Sequence, residues 1–288
     1  MTNEHAFGGV RMSDALGRTI VRVVLFDAHG VMFSPKDGSH IDLQKRMLEE
    51  ALGKKVDIDA YELALRGRLA RLEAVKLFPL NQLGSREVWG WSNAKAFADL
   101  GMTQELGSEM SRLISLPEHY HTPESVAKEL RWLLEEKFPF KGEAGFFIAT
   151  ASNSEAHIVE ALLDKSGIRE HFRHIFTADN LDGIYKPSEE YFRALIAKAN
   201  EAQAIISPDI RPIRVGEILF IGNSVLNDAP AAAMGINTLI INDQSDTLTS
   251  GQIDDYLGAT KDKVIWADDW PHAHRIIDEM FGCELLAA

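Results

Sequence analysis

The sequence predicts an α/β fold, a doubly wound and mostly parallel Rossmann-like sheet with an inserted α-helical cap. Three observations predict it. Short apolar runs, IVRVVLF (20–26), GFFIATA (145–151), EILFIG (217–222) and NTLIIN (237–242), are each bounded by polar residues or glycine and followed by a helical pattern. Strands covered on both faces read as such unbroken runs. Strand-like and helix-like stretches alternate over the second half of the chain, as a parallel sheet requires. Between residues 36 and 122 the runs give way to amphipathic segments such as DLQKRMLEEAL, DAYELALRGRLARLEAVKLF, REVWGWSNAKAFADL and QELGSEMSRLISL. These place a helical module after the first strand.

In chain order, residues 1–19 are polar, contain glycine and read as a loose arm; they lack the apolar stretch of a secretory signal. The first strand follows and ends at Asp27. The α/β core comprises 20–35 and 123–288, and the cap 36–122. Within the cap, Trp89 and Trp91 are two residues apart and cannot share a helix face. One is expected in the cap interior and the other toward the substrate. Pro117 and Pro123 bracket HYH (119–121), where the chain returns to the core, so His119 and His121 are expected on the hinge surface. HIFTAD (174–179) and KVIWA (263–267) are weaker strand candidates, and WPHAHRIIDEMF is helical. Residues 201–216, with Pro208 and Pro212, read as an extended loop.

The 288 residues carry a net charge of −13 with no basic block, which argues against binding a nucleic-acid backbone. One cysteine, Cys283, excludes an intrachain disulfide and suits a reducing compartment; it is expected on a terminal helix. No run approaches the roughly 20 apolar residues that span a bilayer. The expectation is a cytoplasmic monomer or homodimer with no membrane or nucleic-acid partner.

In open α/β sheets the functional crevice lies beyond the carboxyl ends of the strands. Asp27 and His29 follow the first run, and Ser152 and Asn153 the second. Lys186 stands in YKP ahead of a helix starting near Pro187, and Asn223, Ser224 and Asp228 follow EILFIG. Asp27 at that rim suits a nucleophile that splits one hard step into two. Ser152 and Lys186 suit the anionic oxygens of a substrate. Asp228, an oxygen of Asn223 and a carbonyl near His29 could hold Mg²⁺. Gly30 permits a tight turn off the strand, and Ser152-Asn153 could also cap a helix over 154–163.

The order FDAHGV, ATASN, YKPSEEYF, LFIGNSVLNDAPAAAMGI resembles the four motifs of the haloacid dehalogenase superfamily over roughly residues 20–245. The insert resembles that of the subgroup with an α-helical cap between the first two motifs. The resemblance implies a hydrolase that uses an aspartate nucleophile on a small anionic metabolite. It implies Asp27, His29 and Lys186 as catalytic residues, and Ser152, Asn153, Gly30 and Lys186 as substrate contacts. It implies Asp27, His29, Asn223 and Asp228 around Mg²⁺. Two positions depart from the phosphatases of the family. His29 stands where a second aspartate protonates the leaving group, and Asn223 where an aspartate binds the metal. Both changes remove negative charge from one small site, and an asparagine oxygen is only a neutral ligand. A phosphatase-like reading, phosphomonoester hydrolysis through an aspartyl-phosphate, stands first. A metal-independent dehalogenase-like hydrolase stands second, because those relatives also lack the second aspartate; Arg46 is its candidate carboxylate clamp. A degenerate binding protein stands last, since Asp27, Ser152, Lys186 and Asp228 are all retained.

Overall fold

Six parallel strands form the central sheet, and their alternating side chains divide the core between its two faces. The computed structural model describes residues 17–77, 85–138, 146–206, 208–241 and 250–283. The strands are β1 (Thr19–Val21), β2 (Val23–Phe26), β3 (Ser34–Pro35), β4 (Tyr120–His121), β5 (Phe147–Ser152), β6 (His174–Thr177), β7 (Ile218–Gly222), β8 (Asn237–Ile241), β9 (Val264–Ala267) and β10 (Phe281–Cys283). The sheet order is β6-β5-β2-β7-β8-β9. Counted along the chain, these six run 3-2-1-4-5-6, the doubly wound order, with its reversal between β2 and β7.

Every residue of β2, β5, β7 and β8 is buried. Val24, Phe26, Ile148, Leu219, Ile221 and Leu239 point into one apolar cluster, whereas Val23, Leu25, Phe147, Ala149, Ile218 and Phe220 point into another. That two-residue period is why the runs contain no polar alternation: both faces are dry.

The helices are α1 (His40–Leu52), α2 (Ala60–Leu77), α3 (Ser85–Ala96), α4 (Gln104–Ser115), α5 (Glu124–Arg131), α6 (Ala156–Lys165), α7 (Glu189–Ile206), α8 (Ser250–Leu257) and α9 (Trp270–Met280). Helices α1 to α4 lie between β3 and β4, which pair antiparallel where the chain leaves and re-enters the sheet region. Ser39 and Asp42 close a capping box on α1, and Thr103 caps α4. Leu43, Met47, Met110 and Leu113 of these helices continue one of the sheet's apolar clusters.

Several expectations change. IVRVVLF is two strands, because Arg22 interrupts it. Its buried guanidinium lies 3.6 Å from Glu217 and donates to Arg211 O at 3.2 Å, while β1 peels away to pair with β10. Residues 201–206, expected as loop, extend α7, with Ala202 in the core. Cys283 lies in β10, not on a helix. The helix after ATASN begins at Ala156, with Glu155 at its cap position, so Ser152 and Asn153 do not cap it. Residues 1–16 of the predicted arm lie outside the described residues.

Candidate active site

Asp27 is carried to the sheet edge by the ladder itself: its N–H donates to Ile221 O at 2.9 Å, one step beyond β2. The chain then turns sharply, with Ala28 O accepting from Met32 N and Phe33 N at 3.0 and 3.1 Å. Gly30 makes this turn at φ +85°, and a Cβ there would stand 2.0 Å from Asn223 Nδ2. Its glycine is required twice over, by backbone hand and by the close approach of the β7 loop.

Lys186 bridges the two carboxylates at the strand-order reversal. Its Nζ lies 2.9 Å from Asp27 Oδ1 and donates to Asp228 Oδ1 at 2.6 Å. Asp228 Oδ2 accepts from the backbone N–H groups of Asn223 and Ser224 at 3.1 and 3.0 Å. Burial pushes Asp228 up to about 6, Asp27 adds to the rise, and Lys186 opposes it; it is ionised at neutral pH. Burial works against the ammonium, yet Asp228 and then Asp27 outweigh it and hold the Lys186 pKa above the ordinary lysine value.

Asn153 has a positioning role. Its Oδ1 accepts from Lys186 N at 2.8 Å and its Nδ2 donates to Lys186 O at 3.1 Å, which fixes the backbone of the bridging lysine. Ser152 is buried at the end of β5, and its Oγ accepts from Ser154 N at 3.2 Å. Ser154 Oγ in turn lies 3.0 Å from His29 Nδ1. The His29 ring packs edge-on to Tyr120 at 4.6 Å, and its buried Nε2 has no partner among the described residues. Burial first, then Arg71 and Lys186, lowers the His29 pKa to about 4. It is a neutral imidazole at pH 7, with no proton to spare as an acid.

These groups form one wall of a cavity of about 460 Å³, and α1 to α4 form the other. Arg71 of α2 faces this space. It keeps accessible surface, which lines the cavity. No carboxylate among the described residues pairs with it. Burial pulls its pKa down, Tyr120 opposes the change, and Arg68 adds to it. The guanidinium carbon sits 5.3 Å from the ring centre of Trp89. Trp89 meets Tyr185, the neighbour of Lys186, edge-on at 5.7 Å. His40 also lines the cavity; burial, His29 and Arg71 lower its pKa to about 3.

Of the residues predicted for the site, Asp27, His29, Ser152, Asn153, Lys186 and Asn223 line the cavity, while Asp228 lies beneath them and Gly30 supports Asn223. Arg46 does not line it; that residue is half-buried and its guanidinium is 3.7 Å from Asp37. Trp89 is the tryptophan on the cavity side, and of HYH it is the central Tyr120 that faces in. Arg71, His40 and Ser154 were not predicted. Ser154 stands one residue beyond ATASN, and Ala64, Arg68 and Arg71 share a helix face. Nothing in RGRLAR tells which arginine turns inward.

Of the residues suggested for Mg²⁺, Asp228 has both oxygens taken, by Lys186 and two backbone donors, and the lysine ammonium lies between the two carboxylates. Among the described residues no group of three or more His, Cys, Asp or Glu side chains could hold a metal. Also among them, no helix is long and apolar enough to cross a membrane.

Known structures share the fold. The magnesium-bound putative HAD-hydrolase YfnB from Bacillus subtilis superposes with a TM-score of 0.58 at 16% identity, over 90% of this chain and 100% of that one. The L-2-haloacid dehalogenase RSc1362 gives 0.60 at 17%, over 90% and 100%. The L-2-haloacid dehalogenase from Xanthobacter autotrophicus with chloropropionic acid covalently bound gives 0.56 at 15%, over 91% and 100%. No curated protein matches the chain. The family model of the haloacid dehalogenase-like hydrolases matches residues 21–235, which takes in Asp27, Ser152, Lys186 and Asp228, and the chain belongs to that family.

Proposed function

We propose that this hydrolase uses Asp27 to displace a leaving group from carbon in a small organic acid, without a metal. The observation that carries the reading is the Lys186 ammonium between Asp27 and Asp228, 2.9 and 2.6 Å away. It supplies from the chain itself the positive charge that would otherwise have to come from a cation. Lys186 holds Asp27 by Oδ1, leaving Oδ2 to attack. The new C–O bond forms as the bond to the leaving group, a halide in the simplest case, breaks and the halide departs with the electron pair. Water then adds at the aspartyl carbonyl, the acyl C–O bond breaks, and the alcohol leaves with Asp27 regenerated. Arg71 anchors the substrate carboxylate, so that the reacting carbon is presented to Oδ2. Neutral His29 leaves the site less negative than an aspartate would, which favours an anionic substrate. Two of the structural neighbours are L-2-haloacid dehalogenases, one with chloropropionic acid covalently bound.

The phosphatase reading keeps one observation: Gly222, Ser224, Asn227 and Asp228 hold the spacing of the family's phosphatases. A single experiment separates the two. The enzyme is given L-2-chloropropionate in ¹⁸O-water, with EDTA or with Mg²⁺, and an aryl phosphate in parallel. Chloride release unaffected by EDTA, with the label entering Asp27 in a single turnover, is expected. Mg²⁺-dependent phosphate release without chloride release would overturn the proposal.

A further inference from the structure

The cavity is larger and more basic than a two- or three-carbon acid needs. Its volume of about 460 Å³ falls in the range, about 300–1,000 Å³, of pockets that enclose drug-sized ligands. The chain as a whole is acidic, at −13, yet the helical wall presents Arg68, Arg71, Arg86 and Arg112. The carboxylates lining the space, Asp27 and Glu155, both belong to the sheet side, and Asp27 is already met by Lys186.

Two of these cations have different neighbours. Arg71 acts electrostatically on His29, His40 and Tyr120, beside the nucleophile. Arg86 acts instead on Glu109 of α4, which grips Arg112 through Nε at 2.8 Å and Nη2 at 2.6 Å. Glu109 thereby neutralises Arg112, while Arg86 makes no ion pair with a described residue. Arg86 also sits in the first turn of α3, the end of a helix that favours anions over cations. A basic side chain placed there, on a cavity wall, is stabilised when an anion joins it.

We propose that the substrate carries two anionic groups, one held by Arg71 of α2 and the second by Arg86 of α3, both on the cavity wall. This deepens the reading above and rests on it: the reacting carbon lies at the Arg71 end, and the remainder of an elongated dianion, a dicarboxylate in the simplest case, runs along α2 and α3. Arg86 acts on specificity, with no part in bond making.

Isothermal titration of the intact protein with acetate, malonate, glutarate and adipate tests the proposal without requiring turnover. At least one diacid should bind about tenfold more tightly than acetate, and added salt should shrink that preference. Arg86→Gln should bring the preference within about twofold of unity with acetate binding unchanged, and Arg86→Lys should restore it. Arg71→Met should weaken every probe. Circular dichroism of each variant reports whether it folds. Equal affinity for acetate and all diacids, an undiminished preference in Arg86→Gln, or no binding of any probe would each overturn the proposal. The outcomes separate it from the reaction itself. Chloride release with no diacid preference keeps the Asp27 chemistry and sinks the dianion, whereas a diacid preference without chloride release does the reverse.

Discussion

On the sheet side of the cavity Asp27, Lys186 and Asp228 hold one another, whereas on the helical side no carboxylate among the described residues pairs with Arg71. Lys186 is held by two carboxylates, Asp228 by three donors, and the lysine backbone by Asn153. Arg71 has a tryptophan face and open space. The buried pairs are fixed machinery, because breaking them would leave a charge without its counter-ion, whereas the unpaired guanidinium keeps surface open to an arriving anion. The two walls divide the work, with reaction on the sheet and recognition on the helices.

Four experiments bear on that division, from the largest effect to the smallest. Asp27→Asn should lower turnover by at least about 10⁴-fold while leaving substrate-analogue affinity within a few fold; a fall in affinity with turnover retained would erase the distinction between the walls. Asp228→Ala leaves the buried ammonium with one carboxylate and exposes two orphaned backbone donors, and should cost about 3–5 kcal/mol in urea denaturation. Acid should act through the histidines at the junction. A histidine whose folded pKa is depressed is stabilising only while neutral, so stability should fall as pH drops from the ordinary 6.5 and level off below about 4. The loss is about 3 kcal/mol for His29 alone, with His40 coupled to it, and His29→Asn should flatten that slope. Arg71→Met should weaken anion binding by about 2–3 kcal/mol and leave stability unchanged or improved, because the cation it removes satisfies no partner in the free protein. A marked loss of stability in Arg71→Met would show that the guanidinium is structural, and the comparison would fail.

The same contrast explains what could be read from the sequence. The sheet side was legible because strands bring residues to one edge by register, so Asp27, Ser152, Lys186 and Asp228 follow apolar runs or a local YKP signal. The helical side was not. A helix presents a different residue every 100° of rotation, and Arg66, Arg68 and Arg71 are equivalent in the sequence until packing fixes which of them line the cavity. Arg66 turns outward to Glu62 and Asp99, and Arg71 turns in. Arg22 escaped notice for the opposite reason. A lone charge within an apolar run does not announce that it ends one strand and starts another, and its role is set by Glu217, far along the chain.

That break after β1 bears on how the molecule is made. Among the described residues, Thr19–Val21 has no neighbour in the central sheet and pairs with Phe281–Cys283. During synthesis the β2–β5–β7 ladder can form before Phe281–Cys283 are made, so β1 waits for a partner that arrives after the central sheet. Joining β1 to β10 requires closing a loop that contains the whole central sheet. That pair therefore forms late, and β1 stays an open strand until β10 reaches it.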